Sequence, residues 1–203
     1  MKQIAQLISY LLHPLLMPLY ALYFTFNVDS IFSLIPYPAR LYCYVVTGVA
    51  LVVMPLLSLP LFKRFRLISN YGLESKQERV YPILIAVVFA FVGFWVIGRM
   101  PYTNIVQQLY LVLIILLSVF SIVTLRWKMS MHMTAMGAAC GFVFILGMKY
   151  WGDVRQIFMM MLILSGILAS CRLYLKKHNP LQVYVGFLFG IAFVIGILDE
   201  RLF

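Results

Sequence analysis

The sequence predicts an all-α fold, a polytopic transmembrane helix bundle of six to seven spans. Three observations carry this. Of 203 residues, 64% are hydrophobic and only 11% are charged, whereas a soluble domain keeps roughly a quarter of its residues charged. The mean hydropathy of +0.99 exceeds what one core can hide, so lipid must cover the remainder. The apolar residues also fall into seven stretches separated by short, mostly basic loops. No segment is long and polar enough for a separate soluble domain, so residues 1–203 read as one transmembrane domain.

The first stretch, Ile4–Phe26, is too long for a signal-peptide core and no small-residue cleavage site follows it, so it is expected to be a retained span. Pro14 and Pro18 should kink it, and Pro55 and Pro60 should kink the second stretch, Leu41–Phe62. Val80–Gly98 and Ile105–Leu125 have full spanning length. Met133–Met148, Ile157–Cys171 and Val183–Leu198 are short, and the expectation is that their helices extend through flanking Arg and Lys, which snorkel. In the fifth stretch Gly137 and Gly141, with Ala138 beside them, offer a face for close helix packing. Cys43, Cys140 and Cys171 lie within or at the ends of apolar stretches with no C-x-x-C pairing, as buried free thiols do.

The formal charge of +10 comes from 16 Lys and Arg against 6 Asp and Glu. Because the basic residues occupy short loops between spans, anionic headgroups or a phosphate-bearing substrate fit them better than nucleic acid does. With seven spans, the N-terminus shares one face with the loops Lys63–Arg79, Arg126–His132 and Arg172–Gln182. That face carries 11 Lys and Arg and the opposite face 5. All six acidic residues (Asp29, Glu74, Glu78, Asp153, Asp199, Glu200) lie outside the apolar stretches, which ranks an ion-coupled transporter lowest among the function classes. No carboxylate or thiol stands at ligand spacing to His132 or His178, so a zinc site is not expected.

The basic face also holds the residues with chemistry. Asn179 is a good N-cap and Pro180 a favoured first helical residue, so the last helix should begin there with its positive end beside His178 and Arg172. The same residues with Gln182 form a capping-box pattern, so Gln182 either caps its helix or orients His178. Ser130 is placed to cap the fifth helix, with His132 in its first turn. Lys76 and Arg79, near Pro82, suit phosphate oxygens or form a solvated charge run with Glu74 and Glu78. His13, in mid-span beside Pro14, is expected to be a neutral imidazole bonded to a neighbouring helix.

Between Lys76 and Gly186 the chain resembles the type-2 phosphatidic acid phosphatases, whose signature is K-x6-R-P, then P-S-G-H, then S-R-x5-H-x3-D. The third element matches best, as Cys171-Arg172, five residues, His178, three residues and Gln182. The second appears as Met129-Ser130-Met131-His132. The first is weakest, since Arg79 precedes Pro82 by three residues and Lys76 lies three residues upstream of Arg79. The resemblance implies a membrane phosphatase, in a bacterial cytoplasmic membrane, acting on a phospholipid or polyprenyl phosphate with no metal and no cofactor. Its substrates span phosphatidic acid, phosphatidylglycerol phosphate, polyprenyl diphosphates and lipid A phosphates. By position, His178 would be the nucleophile and His132 the acid for the leaving lipid alkoxide, while Arg172, Arg79, Lys76 and Ser130 would bind the phosphoryl oxygens. Gln182 stands where the family has an orienting Asp. Its carbonyl accepts a hydrogen bond but gives an imidazolium no charge stabilisation. A non-catalytic relative that binds anionic lipid or a protein partner is therefore the alternative.

Overall fold

A computed structural model describes the backbone of residues 1–71 and 76–199 and the side chains of 1–71 and 78–198. Glu74, Glu200 and the side chains of Lys76 and Asp199 lie outside these described residues. Among the described residues the fold is all α, without a strand. The helices are α1 (Lys2–Leu11), α2 (Met17–Asn27), α3 (Tyr37–Gly48), α4 (Met54–Arg64), α5 (Lys76–Ile97), α6 (Asn104–Arg126), α7 (Met131–Tyr150), α8 (Arg155–Tyr174) and α9 (Pro180–Asp199). They make 7 segments long and apolar enough to cross a membrane, so the protein is an integral multi-pass membrane protein. The three short stretches do extend through their polar flanks: α7, α8 and α9 each reach 20 residues.

The prolines act in different ways. Pro14 divides the first span into α1 and α2, joined by a 3₁₀ turn at Pro14–Leu16, while Pro18 sits in the first turn of α2, where no ladder donor is missed. Pro55 has no N–H for the Leu51 carbonyl and its ring crowds that carbonyl. The chain widens there into a π turn at Val49–Val53, from which Met54 N–H reaches back to the Val49 carbonyl. Pro60 is carried inside α4.

The contacts form two compact units, Met1–Ile35 with the chain from Met129 onward, and Pro36–Lys128. In the first, α7 packs against α9, α8 and α2, and α1 lies on α8. The α7–α9 contact is backbone on backbone. A Cβ on Gly137 would strike the Phe187 carbonyl, one on Gly190 the Thr134 carbonyl, one on Gly141 would lie 2.8 Å from the Ile191 oxygen, and one on Gly186 3.0 Å from the Ser130 oxygen. The small-residue face expected on α7 is thus met by a second one on α9, also four residues apart. In the second unit α5 packs on α6 and on the π turn. The Tyr110 ring fills the notch left by Gly93, and its hydroxyl bonds the Thr47 hydroxyl at 3.1 Å.

Candidate functional site

The start of α9 is held by a complete capping box. The Asn179 side-chain oxygen accepts the Gln182 N–H at 2.9 Å, and the Gln182 side-chain oxygen accepts the Asn179 N–H at 3.4 Å. That same Gln182 oxygen lies 3.0 Å from His178 Nδ1. Capping and orienting, alternatives in the sequence, are performed by one atom. Because Oε1 only accepts, His178 carries its proton on Nδ1 and keeps its lone pair on Nε2. His178 is set before α9 by a turn in which Lys176 takes a left-handed φ of 51° and Lys177 N–H closes onto the Arg172 carbonyl at 3.3 Å.

The start of α7 is tied to this turn, since Ser130 N–H donates to the Gln182 carbonyl at 3.2 Å. Ser130 occupies the N-cap position as expected, yet its side chain makes no capping bond. Its hydroxyl is fully enclosed (0% exposed), as is that of Thr134 (3% exposed), and neither finds a hydrogen-bond partner among the described residues. Met129, where the resembled family has Pro, is buried beside Gly186.

His132, one residue into α7, points its Nε2 at the Ser9 carbonyl, 3.2 Å away. A carbonyl only accepts, so the proton of His132 is on Nε2 and its free nitrogen is Nδ1. The ring of His13 stands across that of His132, centroids 5.3 Å apart and planes at 81°. The imidazole expected to bond a neighbouring helix therefore packs on a second imidazole, and its own Nδ1 accepts Leu15 N–H at 3.3 Å. Arg172, half-buried at the last turn of α8, is within electrostatic range of both His13 and His132, and His178 is within range of His132. Lys176 and Lys177 are exposed, in keeping with ordinary anchors at the end of a span.

Of the sequence-predicted residues, His178, Gln182, His132 and Ser130 thus lie at the starts of α7 and α9 and Arg172 at the end of α8, all in one unit. Arg79 belongs to the other unit, half-buried in the first turns of α5, where its neighbour Glu78 accepts the Ser69 N–H at 3.1 Å. His13 and the Ser9 carbonyl are members of the cluster that the sequence did not assign to it. The available signal was Pro14, whose missing N–H disturbs the carbonyls one turn before it. Among the described residues no group of His, Cys, Asp and Glu is arranged to hold a metal ion. No protein-family model, curated protein or solved structure matches this chain.

Proposed function

We propose that this chain is a membrane phosphatase that hydrolyses a lipid phosphate or diphosphate through a phosphohistidine, as a divergent relative of the type-2 phosphatidic acid phosphatases in a bacterial cytoplasmic membrane. The observation that carries this reading is the His178–Gln182 bond of 3.0 Å. It leaves a lone pair on Nε2, the tautomer that an attack on phosphorus needs. Nε2 of His178 forms a bond to phosphorus while the ester bond to the lipid oxygen breaks. Nδ1 of His132 takes up the proton of the bound phosphate monoanion and passes it to that oxygen, while Nε2–H stays on Ser9. Water then attacks phosphorus, its proton returns to His132 Nδ1, and the P–N bond breaks. Arg172 supplies positive charge beside the imidazoles, and the N-terminus of α9 adds the positive end of its helix dipole. The roles that the resemblance gives to Arg79 and Lys76 rest on the sequence alone.

A neutral amide at Gln182, already engaged by Asn179 N–H, favours a second reading in which the cluster binds anionic lipid and turns nothing over. Phosphate release by the detergent-purified protein from phosphatidic acid and from farnesyl diphosphate separates the two. Catalysis predicts that His178→Ala lowers the rate by about 10³-fold or more. Equal release from the variant and the parent protein refutes the nucleophile. Vesicle binding without any release leaves the second reading.

A further inference from the structure

The break in the first span leaves backbone groups whose partners can be traced one by one. In an unbroken helix the Ser9 carbonyl would accept His13 N–H and the Tyr10 carbonyl would accept the N–H of residue 14. Pro14 has no N–H. His13 N–H turns to the Tyr10 carbonyl instead, at 3.2 Å. The Leu11 carbonyl, which would have received Leu15 N–H, takes the Tyr20 hydroxyl at 2.8 Å, because Leu15 N–H is on His13 Nδ1. The Ser9 carbonyl is thereby released from its helix, and the group that meets it is Nε2 of His132 at 3.2 Å. A buried carbonyl without a donor is costly, so the helix break and the imidazole satisfy one another.

We propose that the Ser9–Pro14 break is a positioning device for His132, in which the freed Ser9 carbonyl fixes the Nε2–H tautomer and the His13 ring blocks rotation about the imidazole axis. His13 is a positioning residue, since it acts through His132. This proposal rests on the phosphatase reading for its catalytic consequence: His132 is left with Nδ1 alone to exchange a proton with the leaving group and with water. The alternative orientation would put Nε2 toward the substrate and break the bond to Ser9.

Two variants separate the parts of the device. Asn at position 13 offers a side-chain oxygen to Leu15 N–H, as Nδ1 does now, but removes the ring. Ala at position 14 restores the N–H that Tyr10 lacks and returns His13 N–H to Ser9, so His132 loses its acceptor. A misplaced general acid matters for a basic leaving group and little for a weakly basic one. Phosphatidic acid, which expels an alkoxide, is therefore paired with 4-nitrophenyl phosphate. The expected result is that His13→Asn and Pro14→Ala lower kcat/KM for phosphatidic acid, which reads only the steps up to departure of the leaving group, by about 10- to 100-fold, with kcat/KM for the aryl phosphate held within about twofold. Equal losses on both substrates, or no loss on either, overturn the proposal.

Ring ¹⁵N shifts of histidine-labelled protein give a readout that needs no turnover. His132 is expected as the Nε2–H tautomer in the parent protein and as a mixture in Pro14→Ala, and an unchanged tautomer in that variant overturns the device. Should the parent protein hydrolyse neither substrate, the phosphatase reading fails and the ring shifts alone decide on the positioning of His132.

Discussion

In the unit that carries the three histidines, α7 and α9 meet backbone to backbone through Gly137, Gly141, Gly186 and Gly190. In the other unit, α5 and α6 are joined by a phenol ring set into the notch of Gly93, with Tyr110 bonded to Thr47 and Tyr42 to the Val96 carbonyl at 2.8 Å. Lipid tails are as apolar as Leu, so neither contact is driven by the hydrophobic effect alone, and close approach and interhelical hydrogen bonds do the work. The glycine contact has little room to adjust, because the opposing atoms are carbonyl oxygens of a helix. The aromatic contact has a side chain that can shift. The cluster of imidazoles is found in the unit of the first kind, at the end of the glycine-packed pair.

Replacing Gly190 with Leu is the most severe way to break that comparison. The added atoms meet the Thr134 carbonyl, so α9 must move away from α7. The expected loss is about 3 kcal/mol or more, seen as a lowered unfolding midpoint in detergent together with separation of Ser130 from Gln182. If Gly190→Leu is tolerated as readily as a change in the second unit, the contrast between the two modes of packing is wrong. A smaller effect is expected in the second unit for Tyr110→Phe. The ring still fills the notch, the Thr47 hydroxyl loses its donor, and the cost is about 1 kcal/mol or less in the same measurement. The smallest effect is expected from Lys176→Gly in the turn before His178. The left-handed φ of 51° strains a residue with a Cβ, so glycine should raise stability by up to about 1 kcal/mol, visible as a small upward shift in midpoint.

Much of the fold was legible along the chain. Hydropathy marked the segments that span, and the expected extension through Arg and Lys is met in α8, which starts at the exposed Arg155, whereas Lys149 of α7 turns to the Leu198 carbonyl and α9 reaches its length without a basic residue. Asn179, Pro180 and Gln182 announced the start of α9 through local capping chemistry, and the structure forms that cap. The spacing of four residues from His178 to Gln182 likewise made their contact predictable. Ser130 was legible only in part. Its position at the start of α7 followed from the sequence, while the burial of its hydroxyl is set by tertiary packing, at a turn where α9 approaches closely through Gly186.

What the sequence by itself determined, then, is whatever depends on neighbours within a turn or two: the spans, their ends, the cap on α9 and the side of Gln182 that faces His178. Pro14 also guaranteed that some carbonyl in the first span would lose its donor. Which carbonyl, and which side chain would come to it, was decided only by tertiary packing. His132 reaches Ser9 because α7 lies against the break in the first span, and helix adjacency is set by how glycine faces and side-chain volumes fit together, which no local pattern encodes.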